Sequence, residues 1–136
     1  MIRKYMNGDI DRIKIQDEQR AELSSGLKHF EHGDTLVFAE DDKVYALVRP
    51  YYEIGGRIYI CAVIGRDCCR KAVKMFKIMK KIIDEWLELD NVNRVEMTTQ
   101  CSFYEATRLA TLLGFKCEGI MRKYYNNIDF YLWGRV

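Results

Sequence analysis

The chain has 136 residues, of which 49% are apolar and 31% charged, with a net charge of +2. It is long enough for one domain with a sizeable core and too apolar for intrinsic disorder. The near-neutral charge gives no ground for a nucleic-acid partner, and a single proline with no low-complexity run predicts one domain over residues 1–136.

No apolar run reaches the roughly 18 residues of a membrane span. The opening residues MIRKYMNGDIDR lack the apolar stretch of a signal peptide. A cytoplasmic protein with no membrane role is expected. The five cysteines, Cys61, Cys68, Cys69, Cys101 and Cys117, show no disulfide-framework spacing. No Cys or His set has metal-site spacing either. His29 and His32 read as polar residues at a helix end, and no metal is expected.

Residues 1–6 predict a short strand anchored by Ile2 and Tyr5. Asn7-Gly8-Asp9 is a turn with Asp9 as N-cap. Residues 10–31 predict helix on the sparse anchors Ile10, Ile13 and Leu23, broken near Ser24-Ser25-Gly26 and closed by His32-Gly33-Asp34. TLVFAE (35–40) and KVYALVRP (43–50) predict a hairpin about Asp41-Asp42, followed by a loop over 51–56. RIYICAVI, Arg57–Ile64, is β-branched and aromatic between glycines, the pattern of a buried strand.

A long helix follows. Ala72, Met75, Phe76, Met79, Ile82, Ile83 and Trp86 form its core stripe. The other face carries Lys71, Lys74, Lys77, Lys80 and Lys81, then Asp84, Glu85 and Glu88. This order opposes the helix dipole, which favours acids at the N-terminus. A strand, a tight turn and a helix start expose free N–H groups to an anion. Arg66, Arg70, Lys71 and Lys74 beside them point to a polyvalent anion such as a nucleotide phosphate. The same lysines also fit a solvated face, or a nucleic-acid surface confined to half the helix.

After a turn at 90–93, RVEMTTQ (Arg94–Gln100) alternates as a strand. Val95, Met97 and Thr99 share one face; Arg94, Glu96 and Thr98 share the other. Ser102 and Glu105 have capping-box spacing. Ala106, Leu109, Ala110 and Leu113 give a core stripe, and Gly114 the stop. Residues 116–136 predict a hairpin about Asn126-Asn127, whose apolar last strand offers an edge to a homodimer or protein partner. The strand-helix-strand unit requires a parallel pair with a right-handed crossover, so the fold class is α/β (α+β), a mixed twisted sheet of about six to seven strands with helices on both faces.

This order, ending in FYEATRLATLLGF at 103–115, resembles the GCN5-related N-acetyltransferase (GNAT) superfamily over essentially the whole chain. The family's late motif, Asn-x-x-Ala-x-x-Leu-Tyr-x-x-x-Gly-Phe, is met at Ala106, Leu109, Gly114 and Phe115. The resemblance implies acetyl-coenzyme A (acetyl-CoA) as cosubstrate and an amine acceptor, either a small molecule or a protein lysine or N-terminus. It implies that the pantetheine arm pairs with the backbone of Ala62, Val63 and Ile64. The pyrophosphate would rest on the turn before the long helix, at Arg66, Asp67, Cys69, Arg70, Lys71 and Ala72, with Phe103 at the family's Asn position.

The family signature at that turn is Gln/Arg-x-x-Gly-x-Gly/Ala. Begun at Asp67, it puts Arg70 at the first glycine and Ala72 at the last. Begun at Arg66, it puts Cys69 and Lys71 at the small positions. Both registers lack the first glycine, which lets N–H groups approach a phosphate closely. Arg70 would either obstruct that approach or bind the phosphate with its guanidinium. Ala110 stands where many members carry the Tyr that protonates the departing thiolate. These losses resemble degenerate GNAT-like proteins of bacteriophages, which would make the protein a structural or protein-binding module in the host cytoplasm or the virion.

Acetyl transfer to an amine requires removal of the amine proton, polarisation of the thioester carbonyl and protonation of the thiolate. Glu96 is the candidate base, directly or through water; it fits equally as partner to a lysine or arginine. Tyr124, with Tyr104 and Tyr125, is a candidate replacement acid, against plain packing. Cys61, Cys68 and Cys69 would be nucleophiles only with lowered pKa values.

Overall fold

The computed structural model describes residues 1–20 and 27–136, without the side chains of Glu18, Arg20, Cys69 and Arg70. The strands are β1 (Ile2–Lys4), β2 (Leu36–Glu40), β3 (Lys43–Glu53), β4 (Arg57–Ile64), β5 (Arg94–Gln100), β6 (Lys116–Tyr125) and β7 (Ile128–Arg135). The helices are α1 (Asp17–Arg20), α2 (Ala72–Leu87) and α3 (Tyr104–Leu112), with short 3-10 turns at Asp9–Asp11, Lys28–Phe30 and Arg66–Lys71. No helix among the described residues is long and apolar enough to cross a membrane.

The seven strands form one mixed sheet in the order β1-β2-β3-β4-β5-β7-β6. β4 and β5 are parallel, joined by the long helix, with Arg57 opposite Arg94 and Ile60 opposite Met97. The β1–β2, β2–β3, β5–β7 and β6–β7 pairs are antiparallel. The last hairpin turns at Asn126 and Asn127, both at positive φ (49° and 62°), the conformation of a two-residue turn matched to strand twist. β7 folds back between β5 and β6, so the apolar last strand is interior and not the free edge the sequence suggested. Its Phe130, Trp133 and Gly134 are buried. The edge is β6, exposed at every residue but Met121, with breaks of register between Cys117 and Gly119 and between Met121 and Tyr125.

The chain divides into two compact units. The first comprises Met1–Pro50 and Cys61–Ala72, and its core holds Ile13, Phe30, Val37, Ala39, Val44, Leu47 and Val63. The helix expected over 10–31 does not form in its described part before α1. Ile13 instead bridges Val44, and Ile15 bridges Gly65. Two isoleucines at i and i+2 suit an extended segment, whose alternation puts both on one side. Leu23 and the expected break at 24–26 lie outside the described residues. Asp9 is not the cap either: Gly8 takes that position at φ 90° with no side-chain cap bond. Asp9 is fully buried, accepting bonds from Arg3 Nη1 (2.7 Å), Arg3 Nη2 (2.9 Å) and the Met6 N–H (2.7 Å).

The second unit comprises Tyr51–Ile60 and Val73–Val136. β3 continues through Pro50 to Glu53, leaving only a tight turn at 54–56, where Gly55 and Gly56 take positive φ (89° and 84°). α2 buries Met75, Met79 and Ile83. The expected stripe is therefore narrower than drawn: Phe76, Ile82 and Trp86 are half-buried, and Ala72 is exposed. At α3 the N-cap is Phe103, without a side-chain cap bond, so Ser102 does not cap. Phe103 is buried, and its burial moves the helix start one residue past the capping-box position. Gly114 ends the helix at φ 88°, the left-handed stop that glycine adopts without strain.

Candidate functional site

The last residues of β4 carry the first part of the site, within the first unit. The Gly65 N–H donates to Tyr45 O on β3 (2.7 Å). Backbone groups of alternate residues turn to opposite edges of a strand. Ala62 and Ile64 therefore turn theirs to the edge away from β3. Both are met there by one side chain: Gln19 Nε2 donates to Ala62 O (3.0 Å), and the Ile64 N–H donates to Gln19 Oε1 (2.9 Å). Gln16 Nε2 donates to Ile64 O (3.1 Å). Val63, between them, points into the core and is fully buried. The edge thus presents one carbonyl acceptor and one N–H donor, both taken by the primary amide of Gln19.

The turn Arg66–Lys71 follows, and then the start of α2. Its described cations, Arg66 and Lys71, are paired. Arg66 Nη2 lies 2.9 Å from Asp17 Oδ1, and Lys71 Nζ 2.6 Å from Glu40 Oε2. The acid in the turn, Asp67, sits 3.5 Å from Lys14 Nζ. The Glu40 carboxylate raises the Lys71 pKa. The side chains of Cys69 and Arg70 lie outside the described residues, and Ala72 is exposed at the first position of α2. Gly65 is a point of close approach: a Cβ there would lie 3.0 Å from Tyr45 O, 3.1 Å from Ile13 Cγ1 and 3.4 Å from Lys14 O.

Glu96 lies in the second unit, on β5. Its carboxylate accepts from Arg57 Nη1 (2.8 Å) and Arg94 Nε (2.7 Å). Arg94 continues to Glu118 through Nη1 (2.9 Å) and Nη2 (2.5 Å). The result is a chain of four alternating charges, Arg57–Glu96–Arg94–Glu118. Bonds to Glu118 first, then to Glu96, raise the pKa of Arg94 further, and the bond from Arg94 holds Glu118 below the usual carboxylate range. Beside this chain, the Tyr59 hydroxyl pairs with Thr98 Oγ1 (2.8 Å), while Trp133 Nε1 donates to Thr99 Oγ1 (2.9 Å).

Tyr124, on β6, is half exposed with its ring 5.4 Å from that of Phe130. Glu96 stands opposite Gly134 of β7, whereas the neighbour of Tyr124, Tyr125, stands opposite Ile128. Glu96 and Tyr124 are therefore about five residues apart along β7, or ~17 Å of strand, and do not meet on one bond. Tyr104 is exposed. Phe103 and Ala110 are both buried and present no polar group. Cys61, Cys68, Cys101 and Cys117 form no disulfide among the described residues, and burial pushes the Cys101 thiol up. Among the described residues no group of three His, Cys, Asp or Glu is placed to hold a metal ion.

The sequence reading missed Gln16, Gln19 and Tyr59. The two glutamines stand at i and i+3, a helical same-face spacing, but nothing local tells which strand they meet.

No family model matches the sequence, and no curated protein does. Solved structures do match by shape. A GNAT-family acetyltransferase from Bacillus anthracis superposes with a TM-score of 0.76 at 14% identity, over 99% of this chain and 93% of that one. A spermidine N-acetyltransferase SpeG chimera from Vibrio cholerae and hSSAT gives 0.68 at 14% identity, over 100% and 96%. The microcin C7 self-immunity acetyltransferase MccE, solved with acetyl-CoA and AMP, gives 0.62 at 18% identity, over 75% and 59%. This chain shares the fold of these GNAT-family acetyltransferases.

Proposed function

We propose that the chain is an N-acetyltransferase that uses acetyl-CoA to acetylate an amine. The observation that carries this reading is the β4 edge, where Ala62 O and Ile64 N–H hold an amide between them. A neighbour of the same fold was solved with acetyl-CoA, and another is a spermidine N-acetyltransferase. Acetyl-CoA supplies, when bound, an acetyl thioester with a good leaving thiolate.

In this reading the backbone of Ala62 and Ile64 holds the amides of the pantetheine arm, and Val63 fixes that backbone from the core. Arg66 and Lys71 turn from Asp17 and Glu40 to the phosphates, where Arg70 joins them; the N–H groups of the turn and of Ala72 complete the anion site. Glu96 takes the amine proton through water, and Arg57, the more exposed of its two partners, is the guanidinium that must release it. Protonation of the thiolate falls to solvent and not to Tyr124.

A second reading has its own support. Phe103 and Ala110 replace the two polar groups of the family motif with buried apolar ones, as suits a catalytically degenerate, protein-binding module of the bacteriophage type. Isothermal titration with acetyl-CoA and coenzyme A at low salt separates the two. Micromolar binding, with thiol release in the presence of a polyamine or a peptide amine, supports the enzyme. Binding of neither ligand overturns it and leaves the module.

A further inference from the structure

Gln19 is 4% exposed on a four-residue helix, α1. Burying a glutamine leaves an amide that must find partners for both its N–H and its C=O. It finds them on one strand. In a parallel ladder, the residue next to residue i donates its N–H to the carbonyl of i−1 and accepts at its C=O from the N–H of i+1. Gln19 does the same about Val63: it donates to Ala62 and accepts from Ile64. A side-chain amide thus stands in for one residue of a neighbouring strand. The registered ladder to β5 ends at Ile60, just before these two residues.

We propose that Gln19 is an affinity-setting latch on the acyl-CoA edge: its amide holds Ala62 and Ile64 until the amides of the ligand's arm, one by its N–H and the other by its C=O, take its place. This rests on the reading of that edge as the pantetheine site. Any amide ligand must exchange two existing bonds for two new ones, so the edge adds little net affinity while the latch is present. With the latch removed, the ligand competes only with water for the same groups. Gln16, bonded to the Ile64 carbonyl, keeps the strand end in place meanwhile.

The probe is coenzyme A, titrated calorimetrically into the wild type and into Gln19→Met, which keeps length and bulk but has no amide. The variant should bind roughly five- to fiftyfold more tightly, the return of two hydrogen bonds. Its Ile64 amide should exchange faster than in the wild type without ligand, and be protected again with coenzyme A. Equal or weaker binding by a folded variant overturns the latch and leaves the acyl-CoA reading standing. Binding to neither protein overturns both. A measurement on the wild type alone covers a variant that fails to fold. The Gln19 side-chain amide resonances should move to free-amide positions as coenzyme A saturates, and their staying put during saturation overturns the latch.

Discussion

Arg94 crosses β7 over Gly134 to reach Glu118 on β6. A Cβ on Gly134 would lie 2.6 Å from Arg94 Nη1 and 2.6 Å from Glu118 Oε2. The glycine is therefore the gap through which a charge chain on three strands stays connected. The atoms it would meet are the far ends of two side chains, so Gly134→Ala should displace the ion pair and leave the backbone in place. The expected loss is about 1–2 kcal/mol in urea unfolding. The same substitution in an Arg94→Leu background should cost much less, because the two sites share one interaction. Additive losses would show that Gly134 matters for another reason.

Glu96 carries two guanidiniums, and removing its charge leaves both short of a partner. Glu96→Gln should lower stability by about 1–3 kcal/mol. If Glu96 also takes the amine proton, kcat should fall by about a hundredfold or more at neutral pH, beyond any change in the folded fraction. A variant that is less stable but turns over normally would confine Glu96 to holding Arg57 and Arg94.

Gly65 has an ordinary negative φ of −71°, so alanine there meets no dihedral strain. The obstacle is space, with a β3 carbonyl and the 13–15 segment on either side. Gly65→Ala should cost about 1–3 kcal/mol by overpacking and weaken the Gly65–Tyr45 bond that orients the end of β4. Proton exchange at Gly65 and a shifted urea midpoint would both report it; an unchanged midpoint would mean that the 13–15 segment yields freely.

Asp9 gives an acid-side prediction. Burial alone would raise its pKa, but the Arg3 bonds, the Met6 N–H and the charges of Arg3 and Arg12 hold it below its ordinary 3.8. A carboxyl whose folded pKa lies below its unfolded value stabilises the fold in full above the unfolded value. That contribution is lost as pH falls through the folded one. Thermal melting followed downward from neutral pH should therefore drop below about pH 4. Asp9→Asn should flatten that drop and lower stability at neutral pH by about 1–3 kcal/mol. An acid limb equally steep in the variant would assign the loss to other carboxyls, such as Asp84, whose pKa its bonds to Arg135 and Lys80 also hold down.

Strands with local signatures could be read directly. Arg57–Ile64 and Arg94–Gln100 match their expected bounds, and Asn126-Asn127 and Gly114 fall at positive φ as expected. These rest on alternation and turn chemistry, which neighbours in sequence decide. Residues 10–16 misled because sparse isoleucines fit helix and strand templates alike; bridges to Val44 and Gly65 decide between them. The insertion of β7 between β5 and β6 is a long-range pairing with no local mark. The same holds for the site. Ala62, Val63 and Ile64 stand out as a strand end before a basic turn. That Gln19 meets them, and that Asp17 and Glu40 face Arg66 and Lys71, depends on contacts between distant parts of the chain.

The outer strand β6 bears on how the protein behaves among copies of itself. An exposed sheet edge is a template on which other chains can add strands. Here the template is interrupted. Its registered stretches cover Lys116 and Cys117, then Gly119 to Met121, then Tyr125. Lys116, Arg122 and Lys123 place like charges along it, and Lys123 turns at a φ of 51°. A straight incoming strand meets a stretch of two or three residues before the line breaks. Ile120 and Tyr124 are apolar and exposed on this edge, and the interruptions shorten the template on which they lie.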